Sequence, residues 1–390
     1  MDCLAQARSP LSLSYIITYL LTYWIAIAAN PSPFRKLCLI PLGFIFYKTI
    51  FDMSLGNPVA DYVLGSFFFA FLLNAFTWAM MADTPCETRL LQPKKDTKEL
   101  AGSSSLCSRL KSSFRLICSP RGVGWSHEPT TALPQFPPQS TEWAPFVAHH
   151  VVLMIKKLLI LDAVSTYLWH VPAFHVGGPS VADSAFFWRC MNTAAFGVSA
   201  ATSMSAMYDI LLVVSVSMKL SKPYEWPPLF GSVEHASNLR GFWGRTWHQL
   251  LRPTILPYGR YTAANILRLH RRTMTYNLVA CYVAFLISGL MHQFGDTAMH
   301  RSFTAGRSIL FFPLQAVGIT IESVVAYMFR SITGEAWWPR WVGYLWVFSW
   351  FVWCSPIYMD PLFHGGLFDY VPRISLIMGI WKGEWVTVAN

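Results

Sequence analysis

Several apolar runs in this chain reach the roughly 20 residues that a helix needs to cross a bilayer, and more than one carries no charge near its centre. The first, Leu11 to Ala29, is too long in its apolar part and too poor in small-residue cleavage signals for a signal peptide, and reads as a retained span. Inside lipid each backbone N–H and C=O must be satisfied by its own segment, so such runs become helices. Composition agrees: 54% of the 390 residues are hydrophobic and 13% are charged, a pattern that a soluble core does not need. The sequence therefore predicts an all-α polytopic membrane protein of roughly seven to nine transmembrane helices.

Further expected spans are about Leu37 to Met53, Asp61 to Met81, Tyr276 to His292, Ile309 to Phe329 and Trp341 to Tyr358. The run from Phe146 is broken by Lys156, Lys157 and Asp162, so only Leu158 to Phe174 is expected to cross. Ala185 to Leu220 fits one tilted span with an interfacial piece, or two short helices. The net charge of +10 lies mostly in the polar connections. By the positive-inside rule Asn30 to Lys36, Arg89 to Arg121 and Ser221 to Arg272 are cytoplasmic, with the N-terminus across the membrane. Basic residues that flank spans point to the bilayer and to anionic partners; nucleic acid is not an expected partner.

Three segments result: residues 1–81 with three spans, a basic cytoplasmic linker at 82–145, and a core at 146–390. Within the linker, Ser103 to Ser105 reads as flexible, while Leu106, Leu110, Phe114 and Ile117 share the apolar face of an interfacial helix. Arg121-Gly-Val-Gly-Trp125 follows as a turn with an aromatic anchor. The cysteines are scattered without a C-x-x-C pair, so neither a disulfide framework nor a metal site is expected. His149 and His150, being adjacent, point to different sides of a helix and read as structural.

The most unusual stretch is Leu239-Arg-Gly-Phe-Trp-Gly-Arg-Thr-Trp-His-Gln249. As a helix it would place Trp243, Trp247, Leu250 and Leu251 on one side. Arg245, His248 and Arg252 would gather on another, beside Gly241 and Gly244, which admit a ligand or a second backbone. Two readings stay open: an interfacial anchor, or a binding element for a bulky anionic cofactor clamped by guanidinium groups. His292 closes Leu286-Ile-Ser-Gly-Leu-Met-His292 and shares a face with the small residues Cys281, Ala284 and Ser288. It is either a span-end histidine bonded to a loop or a base able to take a proton from an alcohol. Together the two elements describe acyl transfer from a coenzyme A thioester to a lipophilic hydroxyl.

Pro227-Pro-Leu-Phe-Gly231, the run Leu239 to His248, and Ser288-Gly289 with His292 resemble the wax-synthase-like branch of the membrane-bound O-acyltransferase superfamily. The likeness is nearest to fungal O-acetyltransferases of terpenoid and meroterpenoid pathways, and it runs from about residue 120 onward. It implies a membrane-embedded reaction chamber in the endoplasmic reticulum and acetyl-CoA as donor. The catalytic positions would be His292 and His248, and Asn238, Trp243, Arg245, Trp247 and Arg252 would bind the donor. Where many relatives carry an acidic or amide residue before Phe-Trp, this chain has Gly241. Two other functions fit parts of the pattern: a wax-ester or acylglycerol synthase using a long-chain donor, and a transporter, motivated by Asp162, Asp209 and Glu322 in or near apolar runs.

Overall fold

The computed structural model describes residues 8–29, 33–80, 106–125, 127–333, 339–370 and 373–387. The expected linker serines 103–105, residues 89–105 of the basic stretch 89–121 and the start of the first basic loop lie outside the described residues. In chain order the helices are α1 (Leu13–Ala28), α2 (Leu39–Phe51), α3 (Pro58–Met80), α4 (Leu106–Ile117), α5 (Trp143–Trp169), α6 (Phe186–Ser217) and the single turn α7 (Leu239–Gly241). There follow α8 (Arg252–Tyr261), α9 (Met274–His300), α10 (Ser308–Thr333), α11 (Arg340–Cys354), α12 (Pro356–His364) and α13 (Leu376–Lys382). Strand pairing among the described residues is limited to two-residue pairs, Ser9–Pro10 parallel to Met53–Ser54 and Arg373–Ile374 antiparallel to Val386–Thr387.

Among the described residues, α3, α6, α9 and α10 are long and apolar enough to cross a membrane, and α11 with α12, bent by 44° at their junction, makes a fifth if taken as one span. Among the described residues the expected seven to nine spans are not all found by length and composition. At about 1.5 Å per residue, α1 and α2 are short of a hydrocarbon layer of about 30 Å. The helix α5 is long enough but carries Lys156, Lys157 and Asp162.

Those three charges do not split α5, contrary to expectation. It runs unbroken for 27 residues because two of the charges are answered by other elements. Lys157 Nζ and His150 Nδ1 both meet the carboxylate of Asp209 on α6, the histidine at 3.0 Å. Asp162 accepts from the backbone N–H of Ile377 at 3.0 Å, at the start of α13. A buried charge is tolerated when it is paired in this way. With Asp209 neutralised, α6 also continues without a break for 32 residues rather than as two pieces.

The chain divides into two compact units. The first comprises residues 1–129 and 250–316. Its core gathers Tyr19, Tyr23, Leu42, Ile50, Phe68, Trp78 and Trp125. Tyr19 donates to the carbonyl of Phe68 at 2.6 Å, and their rings stack at 4.0 Å. The Arg121–Trp125 segment is a turn, as expected, with both glycines at positive φ; a Cβ on Gly122 would lie 2.7 Å from the His127 ring. Arg35, within the basic connection Asn30 to Lys36, is buried and donates to the carbonyls of Ala26 at 2.6 Å and Ile27 at 3.4 Å. It caps the C-terminal end of α1.

The second unit comprises residues 130–249 and 317–390. Here α5 packs along α6, and a smaller core joins Leu168, Phe174, Val181, Met359 and Phe363. The connection after α5 is pinned by two aspartates. Asp360 accepts from Ser180 and from Val181 N–H, and Asp369 accepts from Val176 N–H at 2.7 Å and pairs with His175 Nδ1. Burial opposes the charge on His175, but the Asp369 carboxylate and the Trp169 carbonyl outweigh it and hold the pKa above the ordinary 6.5. A raised folded pKa means that this contribution to stability is full below about 6.5 and fades as pH rises through the folded value. Proteolysis between residues 170 and 185 should therefore quicken as pH is raised from about 6 to about 8. Asp369→Asn should flatten that dependence; a wild-type cleavage rate that ignores pH would count against the pair.

Candidate active site

In the first unit His292 sits on α9, half-buried, with its Nδ1 2.8 Å from the phenol oxygen of Tyr62 on α3. The ring of Phe312, on α10, lies parallel to the imidazole with centroids 4.6 Å apart. Both contacts depend on glycines of α9. A Cβ on Gly295 would lie 2.8 Å from the Tyr62 carbonyl and 2.9 Å from its ring, so only a glycine lets α3 come this close. A Cβ on Gly289 would lie 3.2 Å from the backbone of Ser308 and Ile309 and 3.3 Å from Phe312, which sets how near α10 can approach. Gly65 of α3 repeats the arrangement in reverse, its missing Cβ facing the Phe294 carbonyl at 2.9 Å.

Beside His292 two buried polar residues tie down the connection to α10. Gln293 donates to the Phe303 carbonyl at 2.6 Å and accepts from Ile309 N–H at 3.1 Å. Asp296 accepts from Ser308 N–H at 3.3 Å, and a Cβ on Gly306 would collide with it. Ala284 and Ser288 are buried and Cys281 is half-buried, so the small-residue face foreseen in the sequence is a packed one. Neither Tyr62 nor Phe312 was singled out in the sequence. Tyr62 carries no local signal, since its partner lies 230 residues away.

The tryptophan-rich stretch belongs to the second unit, and it is not one helix. After α7 the chain widens into a π turn over Phe242–Thr246, closed by Trp247 N–H donating to the Phe242 carbonyl five residues back at 2.7 Å. Trp247 then leaves in extended conformation, so the helical faces drawn from 3.6-residue spacing do not exist beyond it. Two fixed contacts force the break. Gly231 N–H donates to the Thr246 carbonyl at 2.9 Å, and a Cβ on Gly231 would collide with the Arg245 carbonyl. Gln249 donates to the carbonyls of Trp243 at 3.0 Å and Trp247 at 2.6 Å.

The turn still brings most of the named residues of this stretch together. Trp243 and Trp247 meet edge to face at 6.0 Å, and Phe242 stacks on Trp247 at 5.6 Å. The His248 ring packs between Trp247 at 5.4 Å and Phe230 at 6.2 Å. Arg245 is exposed, and a Cβ on the neighbouring Gly244 would meet open space, while Gly241 is closed off by the His235 carbonyl. Asn238 caps α7, its side-chain oxygen accepting from Gly241 N–H at 2.7 Å. Glu322 of α10 is buried beneath this start: it accepts from Leu239 N–H at 2.8 Å, from Arg240 N–H at 3.4 Å and from the Trp346 indole at 3.0 Å. Its place is that of a helix cap. Arg252 begins α8 in the first unit, where burial and then the charge of Arg260 lower its pKa.

Known proteins resemble this chain over most of its length. Residues 226–314, which hold both the tryptophan-rich stretch and His292, match the model of the membrane bound O-acyl transferase family. The chain is 30% identical to the acetyltransferase ple2 of Rhodocybe pseudopiperita over 332 residues, 85% of this chain and 86% of that protein. It is 32% identical to the acetyltransferase eriL of Hericium erinaceus over 91% of this chain and 92% of that protein. A third relative, the acetyltransferase aurG of Calcarisporium arbuscula, is 29% identical over 77% of each. Likeness over this much of both lengths, joined to a set of membrane-crossing helices, identifies the chain as a multi-pass member of the membrane-bound O-acyltransferase family and an acyltransferase.

Proposed function

We propose that the protein is an acetyl-CoA-dependent O-acetyltransferase that esterifies a hydroxyl of a lipophilic terpenoid or meroterpenoid intermediate in secondary-metabolite biosynthesis, in the endoplasmic reticulum membrane. The acyltransferase core on this reading is residues 146–390. The acetyl donor is supported by the names of the relatives, and the chemistry by one observation, the imidazole of His292 held between Tyr62 and Phe312.

His292 takes the proton of the acceptor hydroxyl as its oxygen attacks the thioester carbonyl. The tetrahedral oxyanion collapses, the carbon–sulfur bond breaks, and the imidazolium returns the proton to the departing thiolate. For Nε2 to be the base, Nδ1 must carry the proton and donate it to the Tyr62 oxygen, which makes Tyr62 a positioning residue that holds the ring. Arg245 and Arg252 bind phosphates of coenzyme A, Trp243 and Trp247 offer flat walls to it, and Asn238 shapes the turn that presents them. His248 positions the thioester or stabilises the oxyanion.

His292→Ala should leave the protein folded in the membrane and lower kcat by about 10² to 10⁴. Tyr62→Phe should cost about tenfold and move the pH profile of kcat, because the phenyl ring keeps the packing and loses only the bond to Nδ1. Near-normal turnover by a well-expressed His292→Ala protein would defeat the assignment. Arg245→Gln and Arg252→Gln should each raise KM for the donor far more than KM for the alcohol, each removing a contact worth roughly 1.5 to 3 kcal/mol. His248→Ala should act mainly on kcat. Microsomes given labelled acetyl-CoA or palmitoyl-CoA with sterol, terpenoid and fatty alcohols should transfer acetyl to a terpenoid alcohol. Preference for palmitoyl would make the chain a long-chain acyltransferase instead.

A further inference from the structure

In the first unit, between the last turn of α1 and the amphipathic helix α4, lies a cavity of about 410 Å³ lined by Ile25, Ala28, Ala29, Leu106, Arg109 and Leu110. Its walls are apolar apart from one guanidinium. Arg109 Nε is buried and meets no hydrogen-bond partner among the described residues. The side chain as a whole is half-buried, so one donor of a charged group faces the apolar walls without an acceptor, an arrangement that an anion would relieve. The helix is not free to roll the arginine outward. Trp24 Nε1 donates to the Leu110 carbonyl and to Ser113 Oγ, both at 3.0 Å, Phe114 packs edge-on against Trp24 at 5.8 Å, and Ser113 and Leu116 are buried.

We propose that this cavity binds one anionic phospholipid, with its phosphate on Arg109 and the upper part of an acyl chain along Ile25, Ala28, Leu106 and Leu110. Two features favour a lipid over a soluble phosphate. The walls offer an alkyl chain a surface and offer a hydrated ion nothing beyond the single cation. Leu106 and Phe114 stay 61% and 55% exposed on a helix that also carries the exposed cations Lys111 and Arg115, a combination that suits the headgroup boundary of a charged leaflet. The positive-inside reading of residues 89–121 puts α4 on the cytoplasmic face, where anionic lipids are concentrated. The site has no part in the proposed acyl transfer.

Native mass spectrometry of the full-length protein in detergent, titrated with dioleoylphosphatidylserine or dioleoylphosphatidylcholine, tests this. The wild type should hold a single phosphatidylserine about tenfold more tightly than phosphatidylcholine. Arg109→Gln should remove that preference, Arg115→Gln should keep it, and Leu110→Trp, which fills the cavity without touching the charge, should lose binding of both lipids. Acetyl transfer by Arg109→Gln and Leu110→Trp in lipid-free micelles, at the wild-type rate, checks that they are folded. Equal binding of the two lipids by the wild type would overturn the proposal, as would an unchanged preference in Arg109→Gln. Displacement of phosphatidylserine by free coenzyme A would show that the phosphate enters from water, and would overturn the lipid assignment as well.

Discussion

The placement of His292 depends on how closely three helix backbones can approach one another. In lipid no hydrophobic force draws helices together, so small residues at the crossing points decide which side chains meet. Gly295 admits the backbone of α3 and with it the Tyr62 phenol; Gly289 admits the start of α10 and with it the Phe312 ring. A side chain at either glycine would move a partner of the imidazole before it touched the imidazole itself. Gln293 and Asp296, one and four residues further along α9, then anchor the chain that leads into α10. The residues around the histidine form one packed arrangement rather than a base attached to a scaffold.

The tryptophan-rich stretch follows the same rule with different parts. Its start is held by Glu322 and Asn238, and its middle by Gly231 against the Arg245 carbonyl. Its end is held by the Gln249 amide. Each of these satisfies or accommodates backbone groups that a π turn followed by extended chain would otherwise leave open. Glu322, one of three acidic residues that fitted a transport pathway in the sequence, is occupied with two backbone N–H groups and an indole. Asp209 is paired with Lys157 and His150, and one oxygen of Asp162 accepts from Ile377 N–H. Acids in apolar runs therefore mark helix ends and helix pairs in this chain.

Much of this was legible in the residues. Uncharged runs specify helices because lipid leaves no alternative, and α3, α9, α10 and α11 fall close to where hydropathy places them. His292 stood out because a titratable group near hydrocarbon is costly to keep. The conformation of Leu239 to Gln249 was not legible, because helical spacing assumes i→i+4 bonds and the break is imposed by Gly231 and Gln249. The continuity of α5 was hidden for a related reason, since Lys157 looks like an interruption until Asp209 is placed opposite it. Tyr62 was illegible because nothing near it in sequence distinguishes it from other interfacial tyrosines.

On the proposed reading the transferred group is very small, and this shapes what the site must do. A buried methylene contributes about 0.8 kcal/mol, so a two-carbon acyl group offers almost no surface by which it could be oriented. Orientation has to come from the remainder of the donor and from the acceptor, with that binding energy used to hold the thioester carbonyl beside the hydroxyl. The aromatic and cationic side chains presented by the turn suit a large anionic carrier better than they suit its small cargo. The base, for its part, gains nothing from the acetyl group and must be fixed in advance. A phenol on one ring nitrogen and a parallel phenyl face restrict the imidazole in rotation, so its position does not depend on which acyl group arrives.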